Sequence, residues 1–147
     1  MSLKDKLLED FKAAIKDKDT IRKDTVQMIR SAVLQIEKDK KTTLDDDGII
    51  EVIAKQLKQK NEILPEYEKS GRQDLIDKLK KEIEIIKQYL PEQLSQEELE
   101  EIIKQAIQDT GARSMGDMGK VMQAVMPKVR GRADGKFVNE IVKKFLS

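Results

Sequence analysis

The 147-residue sequence contains no cysteine, no histidine and no tryptophan. Without cysteine there is no disulfide framework, no thiolate nucleophile and no zinc ribbon. Without histidine there is no imidazole base and no Ser-His-Asp triad. Aromatic residues are 3% of the chain, three Phe and two Tyr. No apolar run exceeds four residues, which excludes a membrane span and a signal-peptide core. The expectation is a cytoplasmic protein with no membrane partner. What the chain has in abundance is charge. Lys and Arg number 29 against 28 Asp and Glu, so that 39% of residues are charged and the net charge is +1. Hydrophobic content is 38%, below the roughly 45–50% of an average globular domain. Such a chain folds into elements with narrow apolar stripes, as one domain or two small ones.

The hydrophobic period is helical almost throughout. Leu3, Leu7, Phe11 and Ile15 recur at four-residue spacing behind Ser2, a ready N-cap. Asp19 or Thr20 can cap a second helix carrying Met28, Ile29, Ala32, Val33 and Ile36. Thr43-Leu44-Asp45-Asp46 is a capping-box-like start to a third, with three acids in its first turn, and Ile49, Ile50, Ile53, Leu57 and Leu64 along it. Pro65 predicts a kink or a helix end near Leu64. Ser70-Gly71-Arg72-Gln73 reads as a stop followed by a capped start, with Ser70 as the cap. Ile76, Leu79, Ile83, Ile86 and Leu90 then alternate spacings of three and four, a seam suited to an antiparallel hairpin.

A short interruption at Tyr89-Leu90-Pro91-Glu92-Gln93 marks a domain boundary, giving an N-terminal helical domain at 1–90 and a C-terminal one at 91–147. Ser95 and Glu98 form a capping box, with Leu94 and Leu99 placed as a hydrophobic staple. That helix should end at Gly111. A second, capped by Ser114 with Asp117, should run to about Met126-Pro127, and Asp134 should cap a third. No segment alternates as a strand requires. The fold class is all-α: a bundle with a long helical hairpin, then a small three-helix domain.

Catalytic and metal motifs are missing. Asp45-Asp46-Asp47-Gly48 resembles part of a calcium loop, but with Gly48 at position 6 the twelfth position is Ala54, and the bidentate acid is lost. No serine lies in a nucleophile elbow, and there is no phosphate-binding glycine loop. No metal, cofactor or catalytic residue is expected. The segment after Arg113 is different. Met115, Met118, Met122 and Met126 form a stripe that either fills a small core or offers a groove to a partner helix. Gly116 and Gly119 sit among them at a cost in helix stability, which a closely crossing helix or a nucleic-acid backbone would offset. Residues 113–147 hold eight bases against three acids, a net of +5, whereas residues 91–112 hold one base against six acids. Lys120, Lys128, Arg130, Arg132 and Lys136 are the candidate phosphate contacts. Phe137 and Phe145, eight apart, are expected in the core, which favours recognition of shape and phosphate over base stacking.

Met118-Gly119-Lys120-Val121-Met122, followed by Met126-Pro127-Lys128-Val129-Arg130-Gly131-Arg132-Ala133-Asp134-Gly135, resembles the hallmark of the YqeY (GatB/YqeY) family of small bacterial proteins. Gly71-Arg72-Gln73-Asp74 and Tyr89-Leu90-Pro91-Glu92-Gln93-Leu94-Ser95 fit the same family. The signature residues are Gly119, Met122, Pro127, Gly131, Ala133, Asp134 and Gly135; Gln123 departs from the pattern, where a small residue is expected. The resemblance implies an all-helical protein whose C-terminal part is similar to the tail domain of the B subunit of tRNA-dependent amidotransferases. It also implies a tRNA-contact module at Lys120, Lys128, Arg130, Arg132 and Lys136, with no counterpart of that enzyme's catalytic parts. The leading expectation is a non-catalytic accessory protein that binds tRNA or another structured RNA. The alternatives are a helical module that takes a protein partner through the Met-rich helix or the long hairpin, and an amidotransferase component that works only with other subunits.

Overall fold

The computed structural model describes residues 1–147. Seven α-helices and one 3-10 turn account for its regular structure, and there are no strands. The chain divides into two compact units, Met1–Pro91 and Glu92–Ser147. No helix is long and apolar enough to cross a membrane.

The first unit holds α1 (Leu3–Lys16), α2 (Thr20–Lys40), α3 (Asp46–Ser70) and α4 (Gln73–Lys87). Helices α1 and α2 form one hairpin and α3 and α4 a second, with α2 packed on both members of the latter. The starts of α1, α2 and α3 are each capped by their own side chain: Ser2 accepts from the Asp5 N–H, Asp19 from Arg22 and Asp45 from Gly48. The stripes of the core are Val26, Ile29 and Val33 on α2, and Ile49 and Ile53 on α3. They meet Leu79, Ile83 and Ile86 of α4.

The first unit departs from the sequence pattern at several positions. Ile15 is 51% exposed, and Ala14 takes its place in the core. The reason is angular: strict four-residue spacing drifts by roughly 40° per step, so Ile15 lies about 120° round from Leu3. Met28 is likewise 51% exposed, one position off the buried Ile29, while the unremarked Val26 is fully buried. Of the two outcomes open at Pro65, a helix end is excluded, since α3 continues through it to Ser70. At 1.5 Å per residue its 25 residues span about 37 Å. Ser70 does not cap α4. It is the last residue of α3, its hydroxyl donates to the Tyr67 carbonyl, and Arg72 precedes α4 without a side-chain cap bond. The stop is Gly71, at φ +71°, where a side chain would be strained.

The second unit holds α5 (Gln96–Thr110), a 3-10 turn at Met115–Asp117, α6 (Met118–Val129) and α7 (Gly135–Leu146), each helix packed on the other two. Ser95 and Glu98 form the full capping box, and α5 ends at Gly111 with φ +69°. Ser114 makes no side-chain cap bond; instead the Asp117 carboxylate reaches back to accept from the Arg113 N–H at 2.9 Å. Helix α6 extends to Val129, through Pro127. Its buried stripe is Val121, Val125 and Val129, not methionine. Met118, Met122 and Met126 flank that stripe, half-buried against the core, and Met115 is exposed in the 3-10 turn. Phe137 is not core either: it is 39% exposed, and α7 buries Val138, Ile141 and Val142 instead. Eight residues turn a helix by roughly 80° beyond two full turns, so Phe137 and Phe145 do not share a face.

Candidate nucleic-acid interface

The candidate bases of the second unit sit on three local structures. Lys120 lies in the first turn of α6 and Lys128 in its last. Arg130 is the C-cap residue of α6, Arg132 lies in the following turn, and Lys136 is in the first turn of α7. Lys120, Lys128 and Lys136 are exposed, whereas Arg130 and Arg132 are half-buried. The turn between α6 and α7 therefore gathers Lys128, Arg130, Arg132 and Lys136. Lys120 stands apart, eight residues or about 12 Å of helix rise from Lys128.

This turn has a defined shape, and the signature residues explain it. Gly131 is buried and has φ +72°, a conformation that a Cβ would disfavour. The Arg132 and Ala133 N–H groups both donate to the Val129 carbonyl, at 2.8 and 3.2 Å. Ala133 packs against the core, and Asp134 caps α7 by accepting from the Lys136 N–H at 3.1 Å. The segment leading into α5 then closes over the turn. The Gln93 amide donates to the Gly131 carbonyl at 2.7 Å, and the Leu94 N–H donates to the Arg132 carbonyl at 2.9 Å. The Arg132 guanidinium returns a bond to the Glu92 carbonyl at 3.0 Å and reaches the Lys128 carbonyl at 3.4 Å. Arg132 thus works in part as a bracket, holding the turn with donors that a phosphate would otherwise use. The clamp from Glu92, Gln93 and Leu94 was not evident in the sequence, although all three lie inside one of the segments that carry the family resemblance.

Electrostatics follow the same geometry. The Glu98 carboxyl is held below its ordinary value by the Ser95 N–H and then by the Ser95 hydroxyl, with the Arg132 charge adding to the effect. The Asp117 carboxyl is also lowered, first by the Arg113 N–H, and further by the Ser114 N–H and the charges of Lys120 and Arg113. Both acids stay ionised at neutral pH, spent on local structure beside the bases.

The glycines behave otherwise than expected. Gly116 lies in the 3-10 turn, and Gly119 is the second residue of α6. Nothing comes within 4 Å of a Cβ built on Gly119, and a Cβ on Gly116 meets only the Ser114 hydroxyl at 3.7 Å. No closely crossing helix is accommodated. The absence of a crossing helix agrees with Gln123, which is exposed on the outside of α6. Near a helix end, glycine also costs less than in the interior, because fewer hydrogen bonds depend on it. What Gly119 leaves is main chain bare of side chain, next to Lys120. No group of three or more carboxylates is gathered as a metal site; Asp45 accepts from the Gly48 N–H and Asp46 from the Leu3 N–H.

A family model described as "Yqey-like protein" matches residues 4–146. Among similar proteins, "Altered inheritance of mitochondria protein 41, mitochondrial" of Pyrenophora tritici-repentis is 26% identical over 144 residues, covering 95% of this chain and 78% of that protein. Its namesake in Candida glabrata is 33% identical over 88 residues, 58% of this chain and 48% of that one. A glutamyl-tRNA(Gln) amidotransferase chain of Thermococcus gammatolerans is 46% identical over 55 residues, 35% of this chain but only 9% of that protein. Two of these relatives are fungal proteins whose names place them in mitochondria; the third is a much longer chain.

Proposed function

The chain belongs to the Yqey-like protein family, and on that premise we propose that it is a non-catalytic accessory protein that holds tRNA or another structured RNA with its second unit. The observation that carries this reading is the gathering of Lys128, Arg130, Arg132 and Lys136 around one clamped turn, in a segment of net charge +5. Each Lys or Arg that neutralises a phosphate releases condensed counterions, and this supplies sequence-independent affinity. The bare backbone at Gly119 beside Lys120 suits a phosphate chain lying close to α6. A relative whose name includes glutamyl-tRNA is 46% identical to this chain over 55 residues. The side chains best able to act as general base or nucleophile at neutral pH, His and Cys, are absent, so the bases bind rather than react.

Titration of the full chain with bulk tRNA at increasing salt tests the reading. With Arg132 held in the turn, phosphate contacts from the other four candidates, Lys120, Lys128, Arg130 and Lys136, give a log–log slope of roughly −3 to −4. Replacing the three exposed lysines together, Lys120→Gln, Lys128→Gln and Lys136→Gln, should flatten that slope by about 2 to 3 while the helical circular dichroism is retained. These are better targets than Arg132, whose loss would also loosen the turn. No binding at ~50 mM salt would sink the proposal.

A second reading, a protein-interaction module, is favoured by apolar side chains left exposed on the first unit. These are Leu8 on α1, Met28 and Leu34 on separate faces of α2, and Ile63 and Leu75 on the α3–α4 hairpin. Leu8 and Leu34, with Arg30, border a shallow cavity of about 200 Å³. Nuclease-treated lysate separates the two readings: a stoichiometric protein partner that survives nuclease supports this one.

A further inference from the structure

Resting on the RNA reading, we propose that Phe137 is a base-stacking platform, so that the preferred ligand is RNA presenting an unpaired base beside its phosphates rather than a continuous duplex. Aromatic residues are scarce here, and four of the five are already employed in the cores. Tyr89 is buried and donates to the Asp10 carboxylate. Phe11 and Tyr67 pack against the first core, Phe11 beneath the Arg30 guanidinium at 5.0 Å. Phe145 packs against the second core, with the Lys104 ammonium 5.6 Å from its ring centre. Phe137 belongs to neither core and is 39% exposed.

Its neighbours on α7 decide what it fits. Taking 100° per residue, Lys143, Lys136, Glu140, Lys144 and Phe137 fall within one arc of roughly 120°, opposite Val138, Ile141 and Val142, which are buried. The ring therefore shares its solvent face with three lysines and a single acid. An aromatic surface bordered on one side by cations meets the requirement of single-stranded RNA, whose bases stack on a ring while its phosphates need positive charge. Paired bases of an A-form duplex are not available to such a ring, whereas loops and unpaired ends are. A protein partner would be met by the ring equally well, but not by Lys136, Lys143 and Lys144 together unless it were strongly acidic. Position is also fixed in advance: α7 begins at the Asp134 cap, directly after the turn clamped by Gln93 and Leu94. A phenylalanine on a rigid helix loses little conformational freedom when a base settles on it.

The experiment compares two labelled RNAs with equal numbers of phosphates, a hairpin with an unpaired loop and a blunt duplex, each titrated with the full-length chain. The hairpin should bind more tightly. Phe137→Ala should weaken the hairpin by about 5- to 150-fold, the range expected for one stacked base, and leave the duplex unaffected. The salt slope should stay the same, because no phosphate contact is lost. Phe137→Tyr should retain tight binding and Phe137→Leu should not. Melting curves check that the exposed position tolerates each change. Equal affinity for the two RNAs with Phe137→Ala silent overturns the stacking proposal but leaves the phosphate reading standing, and so does undiminished hairpin affinity of Phe137→Leu. Absence of binding to both RNAs overturns the two together.

Discussion

At the scale of single residues, two signature glycines look alike in sequence and differ in the fold. Gly131 is buried at φ +72°, so Gly131→Ala should destabilise the protein by about 1–2 kcal/mol in denaturant melts. Gly119 has ordinary helical geometry and open space around it, so Gly119→Ala should be neutral or stabilise by up to about 1 kcal/mol. The contrast was illegible in the sequence, because a backbone angle is set by the chain's path and not by the letter. Charge roles differ in the same way. Arg132 and Lys136 read alike as phosphate contacts, yet Arg132 bonds two carbonyls and Lys136 is exposed. Glu98 carries a pH prediction. Its folded value lies below the ordinary 4.5, so its contribution is whole above that pH and is lost as pH falls through the lowered value. Thermal melts between neutral pH and pH 3 should therefore show a shallower acid loss for Glu98→Gln than for the parent chain.

At the scale of elements, what was legible was local. The capping box of Ser95 and Glu98, the Ser2 and Asp19 caps and the stop at Gly111 depend on residues within a turn of one another, and all are present, whereas the cap of α3 is Asp45 and not the Thr43 of the capping-box pattern. What failed depended on angle or on partners. The four-residue stripe of α1 drifted off the core by Ile15, and the methionine stripe of α6 gave way to valines one position over. The pairing of Lys60 with Glu82 across α3 and α4 was not foreseen at all. Its atoms lie 2.6 Å apart with only 11% and 15% of the side chains exposed, so both charges are largely removed from water. Lys60→Met should cost about 3 kcal/mol, because Glu82 loses its partner in a poorly solvated place. Adding Glu82→Leu should recover most of that loss, since an apolar pair of similar volume removes the desolvation cost. A double-mutant cycle by urea unfolding measures both.

At the scale of the whole molecule, the all-helical class and the uneven distribution of charge are legible in the sequence. The first 90 residues hold 20 bases and 19 acids, whereas the last 35 hold eight and three. The near-zero net charge averages a neutral bundle with an acidic lead-in and a basic end. Which bases share a turn, and which aromatic escapes the core, depend on packing between α5, α6 and α7 that no local pattern encodes. The central claim is that the basic end of the second unit is the RNA-binding surface. Amide NMR of the full-length chain during titration with bulk tRNA at low salt tests it most directly. The prediction is that shifts concentrate at Lys120, at Lys128–Lys136 and at Phe137, and vanish at high salt. Shifts confined to α1–α4, or none at saturating tRNA, would contradict it.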